Sequence, residues 1–252
     1  MRQPPANLSL ASITWSVQDC VSFRRSLADR DASSPSQQGH ALTPLMTEAR
    51  PPDFPFLTLL ISGGHSQLLL ATAFDSYEIL VDTGTLPLGT CFDRLGKSLG
   101  LEYGFGLGPA LEQTAALNPA GGESSLPPLQ PVKFPSTTSR TFDFDGILAS
   151  LQHELVRLAP ASAATLSESK ARHDATKLSQ NDRIAVARAF QDAVTRILVK
   201  KVRVALNAQR ASAAPAIGSF VVSGGVACNA YIRSRCATVP ACFSSSCRSV
   251  LD

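Results

Sequence analysis

FLTLLISGGH, residues 56–65, runs through six mostly apolar positions and then breaks sharply on Ser62-Gly63-Gly64. The plan recurs once in the chain, in GSFVVSGGV at residues 218–226. An apolar run of five or six residues that stops at a glycine pair reads as a buried strand entering a tight turn. Glycines there let backbone amides approach a ligand without a Cβ in the way. Successive N–H groups in such a turn form a concavity suited to anions, phosphate above all. A single Gly-Gly turn is ordinary punctuation. Two of them, each closing an apolar strand, point to an α/β fold in which two loops face one nucleotide.

Outward from the first strand, residues 67–72 and 77–81 read as two further strands of a β-meander. Phe92, Leu95 and Leu99 have helical spacing, so a helix is expected over Phe92–Leu101, with Asp93 in its first turn. There a carboxylate can bind ribose hydroxyls or an ammonium group, or simply complement the helix dipole. Glu112, after Gly108-Pro109, carries the same two readings. Residues 118–141 are proline-rich and predict a long surface connection. A helix is expected over Asp143–Leu158, and residues 160–180 are polar enough to form a flexible insertion. The clearest helical stripe is Val186, Phe190, Val194, Ile197 and Leu198, in a helix expected from Asp182 to Leu206. Lys200, Lys201 and Arg203 fall near its expected C-terminal end, where cations suit the dipole. Residues 217–222 predict the second buried strand. Asn229 then opens another helix, either capping it or contacting a ribose or base. From Cys236 onward the periodicity is lost, and an irregular tail is expected over residues 236–252.

The chain has 252 residues, of which 44% are hydrophobic and 17% charged, and a formal net charge of +3. This balance permits RNA contact without arguing for it. No apolar run is long enough to span a bilayer, so no membrane partner is expected. The six cysteines include no CxxC pair and read as reduced intracellular thiols. His65 is a candidate for phosphate contact and His40 for metal, although a single His is more often neither. No HExxH motif or Ser-His-Asp arrangement supports a peptidase. Residues 1–39 are expected as a leader without regular structure. Arg2, Arg24, Arg25 and Arg30 give it the composition of a mitochondrial transit peptide, with Asp19 and Asp29 weighing against.

The segment from Leu60 to Leu68, with its Ser-Gly-Gly-His-Ser-Gln string, resembles the Ser-Gly-Gly-His-Thr-Gln motif of the tRNA N6-adenosine threonylcarbamoyltransferase family. Phe92-Asp93-Arg94 resembles that family's Phe-Asp-Lys segment, and Gly108 to Glu112 its Gly-Pro-x-x-Glu segment. Val222 to Asn229, followed by Tyr231 and Arg233, resembles its adenine-side motif. The resemblance covers residues 40–235. It implies an actin-like (ASKHA) fold, here mainly the second lobe with an incomplete first lobe, and a nucleotide held between lobes. It also implies transfer of threonylcarbamoyl from threonylcarbamoyl-AMP to N6 of adenosine 37 in tRNAs reading ANN codons. By carry-over, Leu60, Ile61, Ser62, Gly63 and Gly64 would serve the phosphate part of the substrate. Asp93, Gly108, Glu112 and Asn229 would serve the adenosine part.

Departures from the family pattern are equally specific. The family's metal site uses a His-x-x-x-His pair, whose spacing puts both ligands on one helix face. His40 resembles the second His, but Ser36 stands at the first. A third ligand, an Asp in an Asp-Asn segment, has no counterpart, and the opening Asp-Asp-Thr turn is missing. The chain therefore reads as truncated at both ends. The divalent ion of the Fe or Zn type that the resemblance implies is not expected to be retained. Thr90 stands where many members have Glu, and Leu148 where the family has Lys. The resemblance implies tRNA and threonylcarbamoyl-AMP as partners, with a homodimer or accessory modification proteins besides. It implies a mitochondrial location, or else a cytoplasmic one. Two alternatives stay open: a non-catalytic descendant that binds a nucleotide or protein partner, and a small-molecule kinase of the same fold.

Overall fold

The computed structural model describes residues 13–15, 51–74, 76–102, 106–119, 139–158, 178–211 and 216–241. Three strands follow one another early: β2 (Phe56–Ile61), β3 (Ser66–Ala73) and β4 (Ser76–Thr83). They pair antiparallel as the expected meander. The first hairpin closes through the Ser62 N–H donating to the His65 carbonyl at 2.8 Å. Two helices follow, α1 (Leu88–Ser98) and α2 (Leu107–Ala116), then β5 (Thr141–Phe142) and α3 (Asp145–Leu158). The long helix α4 (Gln180–Ala211) leads to β6 (Ser219–Ser223), a 3₁₀ turn (Gly225–Cys228) and α5 (Ala230–Ala241). A short strand, β1 (Ile13–Trp15), completes the sheet in the order β1-β6-β2-β3-β4-β5.

β6 lies parallel to β2, and the helices between them supply the long crossover that parallel neighbours need. All six side chains of β2 are buried, so it is a central strand covered on both faces. The main core joins Leu57, Leu59 and Ile61 of β2 with Phe92 of α1, Leu111 of α2, Leu151 of α3, Phe190 of α4 and Ile232 of α5. On the opposite face Phe56, Ala71 and Val221 form a small second cluster. Phe92 and Phe190 meet edge to face with centroids 5.1 Å apart, which ties α1 to α4.

Several expected boundaries move, each for a physical reason. The first helix begins at Leu88 rather than Phe92, because Pro87 ends the preceding extended segment at its N-cap. Asp93 therefore sits in the middle of α1, not in its first turn. α4 runs five residues past Leu206. Lys201 is accordingly not a solvent-facing cation at a helix end. It is buried, and its ammonium donates to the Ser139 carbonyl. Burial lowers its pKa, with Asp143 opposing. Of the expected connection over 118–141 and insertion over 160–180, residues 120–138 and 159–177 lie outside the described residues. Thr141 at the end of the first belongs to β5, which with α3 packs into the core through Phe142, Ile147 and Leu151. Helix α5 continues to Ala241, so residues 236–241 are helical rather than an irregular tail, with Cys236 buried. Within 1–39, expected as a leader, Ile13–Trp15 pair with Phe220, Val221 and Val222. Cys91 and Cys236 are buried free thiols. No helix among the described residues is long and apolar enough to cross a membrane.

Candidate nucleotide site

Because β2 and β6 are parallel neighbours with Leu60 opposite Ser223, the two Ser-Gly-Gly turns leave the sheet side by side, beyond the strands' carboxyl ends. That is where ligands bind in open α/β sheets. A Cβ on Gly224 would stand 2.4 Å from the Ile61 carbonyl oxygen, and its φ of 96° also demands glycine. The second turn thus packs against the end of β2, just before the first turn begins.

The first turn is organised by serine hydroxyls. Ser62 Oγ accepts the N–H groups of Gly64 at 3.3 Å and His65 at 3.0 Å. Two of the amides expected to cradle an anion are therefore bound to the chain itself. The N–H of Gly63, on an exposed residue, has no hydrogen-bond partner among the described residues. Ser66 Oγ accepts the Leu88 N–H at 2.9 Å, and the Ser62 carbonyl accepts the Gly89 N–H at 3.1 Å. Two orphan donors of α1 are satisfied this way, in place of the side-chain cap that Pro87 cannot provide. Thr90 Oγ1 donates to the Gly63 carbonyl at 3.0 Å. A Cβ at Gly89 would lie 2.8 Å from Gly63 Cα, so only glycine lets α1 seat on the turn.

The second turn passes through the 3₁₀ segment to Asn229, which is buried. Asn229 Oδ1 accepts the Ile232 N–H at 3.0 Å, capping α5. Its Nδ2 donates to Gln191 Oε1 on α4 at 3.1 Å. Glu112, from α2, accepts the Ala230 N–H at 2.6 Å. Glu112 and Asn229, distant in sequence, thus meet at the N-terminus of α5. An anionic carboxylate there also complements the helix dipole.

The glycines around this edge separate into two groups. Gly89 and Gly224 are forced by backbone packed against them. At Gly63, Gly64, Gly108 and Gly225 an added Cβ would meet nothing within 4 Å, and none of them has a positive φ. Nothing inside the fold requires glycine at those four positions. They border open space.

The sequence model of the tRNA N6-adenosine threonylcarbamoyltransferase family matches residues 35–248. The chain belongs to that family. Among curated members it is 34% identical over 198 residues to the tRNA N6-adenosine threonylcarbamoyltransferase of Methylobacillus flagellatus, covering 79% of this chain and 50% of that protein. It is 34% identical over 200 residues to that of Bordetella pertussis, with 79% and 50% covered. To that of Bartonella bacilliformis it is 35% identical over 205 residues, with 78% and 48% covered. The chain thus spans about half the length of the curated relatives it matches. Its mixed α/β architecture is that of the family's actin-like fold.

Leu60 and Ile61 are buried strand residues, so only their backbone lies near the turn. Ser62, Gly63 and Gly64 form the first turn. Gly108 is in the first helical turn of α2, whose N-cap Gly106 supplies no side-chain cap. Glu112 is one turn further along α2. Asp93 is half-buried on α1, and burial raises its carboxyl pKa against the lowering effect of Lys97. His40 and Ser36 lie outside the described residues. Among the described residues no three His, Cys, Asp or Glu side chains gather as a metal site. The described residues alone do not fit a bound ion.

Sequence reasoning missed Ser66, Thr90 as a turn-holding hydroxyl, and Gln191. Polar Gln191 in the apolar stripe around Phe190 and Val194 was the available signal. The hydroxyl of Ser223, counterpart of Ser62, is buried and has no partner among the described residues.

Proposed function

We propose that this chain is the nucleotide-holding half of a tRNA N6-adenosine threonylcarbamoyltransferase. The observation that carries the reading is the pair of adjacent Ser-Gly-Gly turns, edged by glycines that the fold itself does not require. In the proposed reaction the N6 amine of adenosine 37 attacks the carbamoyl carbon of threonylcarbamoyl-AMP. The N6–C bond forms, the bond from that carbon to the phosphate oxygen breaks, N6 loses a proton and AMP leaves. The chain's task is to bind and orient the adenylate, which lowers the entropic part of the barrier. Gly63 offers an open N–H to the phosphate end. Glu112, Asn229 and the N-terminus of α2 at Gly108 serve the adenosine end. Half-buried Asp93 is a carboxylate that ribose hydroxyls would help to keep ionised.

Incubating the chain with tRNA and threonylcarbamoyl-AMP and analysing digested nucleosides by mass spectrometry tests this. Threonylcarbamoyladenosine is the expected product. The family's divalent ion would need His40, and the proposal is that this chain does not retain it; metal analysis of the purified chain checks this. The proposal also includes a mitochondrial location, checked with a C-terminal fluorescent fusion, and a dimer or accessory partners, checked by mass in solution.

A second reading, a non-catalytic nucleotide binder, has one observation in its favour. Leu148, at the family's lysine position, is 3% exposed and packed into the core. Tight AMP binding without product would select it.

A further inference from the structure

We propose that Gln191 is a positioning residue that holds Asn229 as a hydrogen-bond donor toward the bound nucleotide. The proposal rests on the nucleotide-binding reading above. Gln191 is 5% exposed on a face of α4 otherwise made by Ala187, Phe190, Val194 and Leu198. Burying an amide among such groups is unfavourable unless its polar ends are bonded.

The direction of the Asn229 amide follows from one group that cannot change its role. The Ile232 backbone N–H only donates, so the atom 3.0 Å from it must be the Asn229 oxygen. The nitrogen end then faces Gln191 and requires an acceptor there, which Gln191 Oε1 provides at 3.1 Å. One Nδ2 hydrogen of Asn229 is used by Gln191. The second is left for an acceptor, such as a purine ring nitrogen or a ribose oxygen. Without Gln191 the cap alone would hold the asparagine, and its nitrogen would lose the bond that fixes its angle. Glu112 grips the adjacent Ala230 N–H, so backbone and side chain are both fixed beside the second turn.

The test is titration calorimetry of the whole chain with AMP, alongside thermal melts. Gln191→Met keeps the length but removes the acceptor, and AMP affinity is expected to fall about tenfold. Gln191→Glu restores an oxygen acceptor and is expected to bind AMP within about threefold of the parent chain. A role confined to core packing would lower the melting temperature in both variants without this difference. Gln191→Met binding AMP as tightly as the parent, or both variants losing equally, overturns the proposal. If Gln191→Met does not fold, Asn229→Asp takes its place, because aspartate keeps the oxygen that caps α5 and removes the donor. A loss of AMP affinity of about tenfold is then expected, and unchanged affinity overturns the proposal. A parent chain that does not bind AMP overturns the nucleotide reading and this proposal together. A parent chain that binds, with Gln191→Met unaffected, overturns this one alone.

Discussion

A side chain at position 89 would meet Gly63 Cα at 2.8 Å, whereas one at position 63 would meet nothing within 4 Å. The two glycines therefore predict opposite phenotypes. Gly89→Ala pushes α1 off the first turn and is expected to destabilise by about 1–3 kcal/mol in urea unfolding. Gly63→Ala is expected to leave the urea midpoint nearly unchanged while weakening AMP binding, which calorimetry would show. Asp93 adds a pH signature. Burial raises its native pKa above the ordinary value of 3.8, so the folded state binds a proton more readily than the unfolded one. Its ionisation in the fold thus subtracts stability as pH rises through that window. Asp93→Asn is expected to melt above the parent chain at neutral pH. The advantage should vanish on acidification below the ordinary carboxylate value. An equal melting difference at both ends of the range would show that the carboxylate is not destabilising. The glycine pairs were readable in the sequence because the same plan, an apolar strand and then Ser-Gly-Gly, occurs twice. Which glycines serve the fold and which serve a ligand was not readable, since it depends on α1 and β2 meeting in space.

Among the elements, α4 carries the most weight, with a length of about 48 Å at 1.5 Å per residue. It packs against α2, α3 and α5, and its Phe190 reaches Phe92 of α1. Phe190→Ala is expected to cost about 3–5 kcal/mol, read from equilibrium unfolding. The stripe from Val186 to Leu198 announced this helix in the sequence, because apolar spacing of three and four is hard to reconcile with anything else. Its true ends were hidden, since Lys200, Lys201 and Arg203 imitate the cation-rich last turn of a helix. Lys201 is in fact buried and bonded to Ser139, a contact 62 residues away that no local pattern encodes. The start of α1 was nearer to hand. Pro87 marks it, while the Ser66 hydroxyl that satisfies Leu88 comes from the preceding hairpin. α5 was missed from Cys236 onward because Thr238 and Pro240 are poor helix formers. Its burial of Ile232, Cys236 and Val239 shows the helical spacing only once the partners are known. The thiols report on this packing. Cys91 and Cys236 are each pushed up to about 12 by burial. Both are expected to resist iodoacetamide in the native chain and to react once it is unfolded, as intact-mass analysis would show.

For the whole molecule, the site depends on adjacency. The two Ser-Gly-Gly segments lie at one edge of the sheet because β6 pairs in parallel with β2 in the register Leu60 to Ser223. Glu112 joins the second of them through the Ala230 N–H. What the resemblance did not anticipate is how much of the site's polar capacity is turned inward. Ser62, Glu112 and Asn229 each bond to the chain's own amides, so they brace the site as well as border it. The most direct test is a titration of the isotopically labelled chain with AMP, followed through the backbone amide resonances of Gly63, Gly64, Gly224 and Gly225. If the two turns form one nucleotide site, resonances from both move together and saturate at the same AMP concentration. Movement of one turn alone, or of neither, would contradict the account.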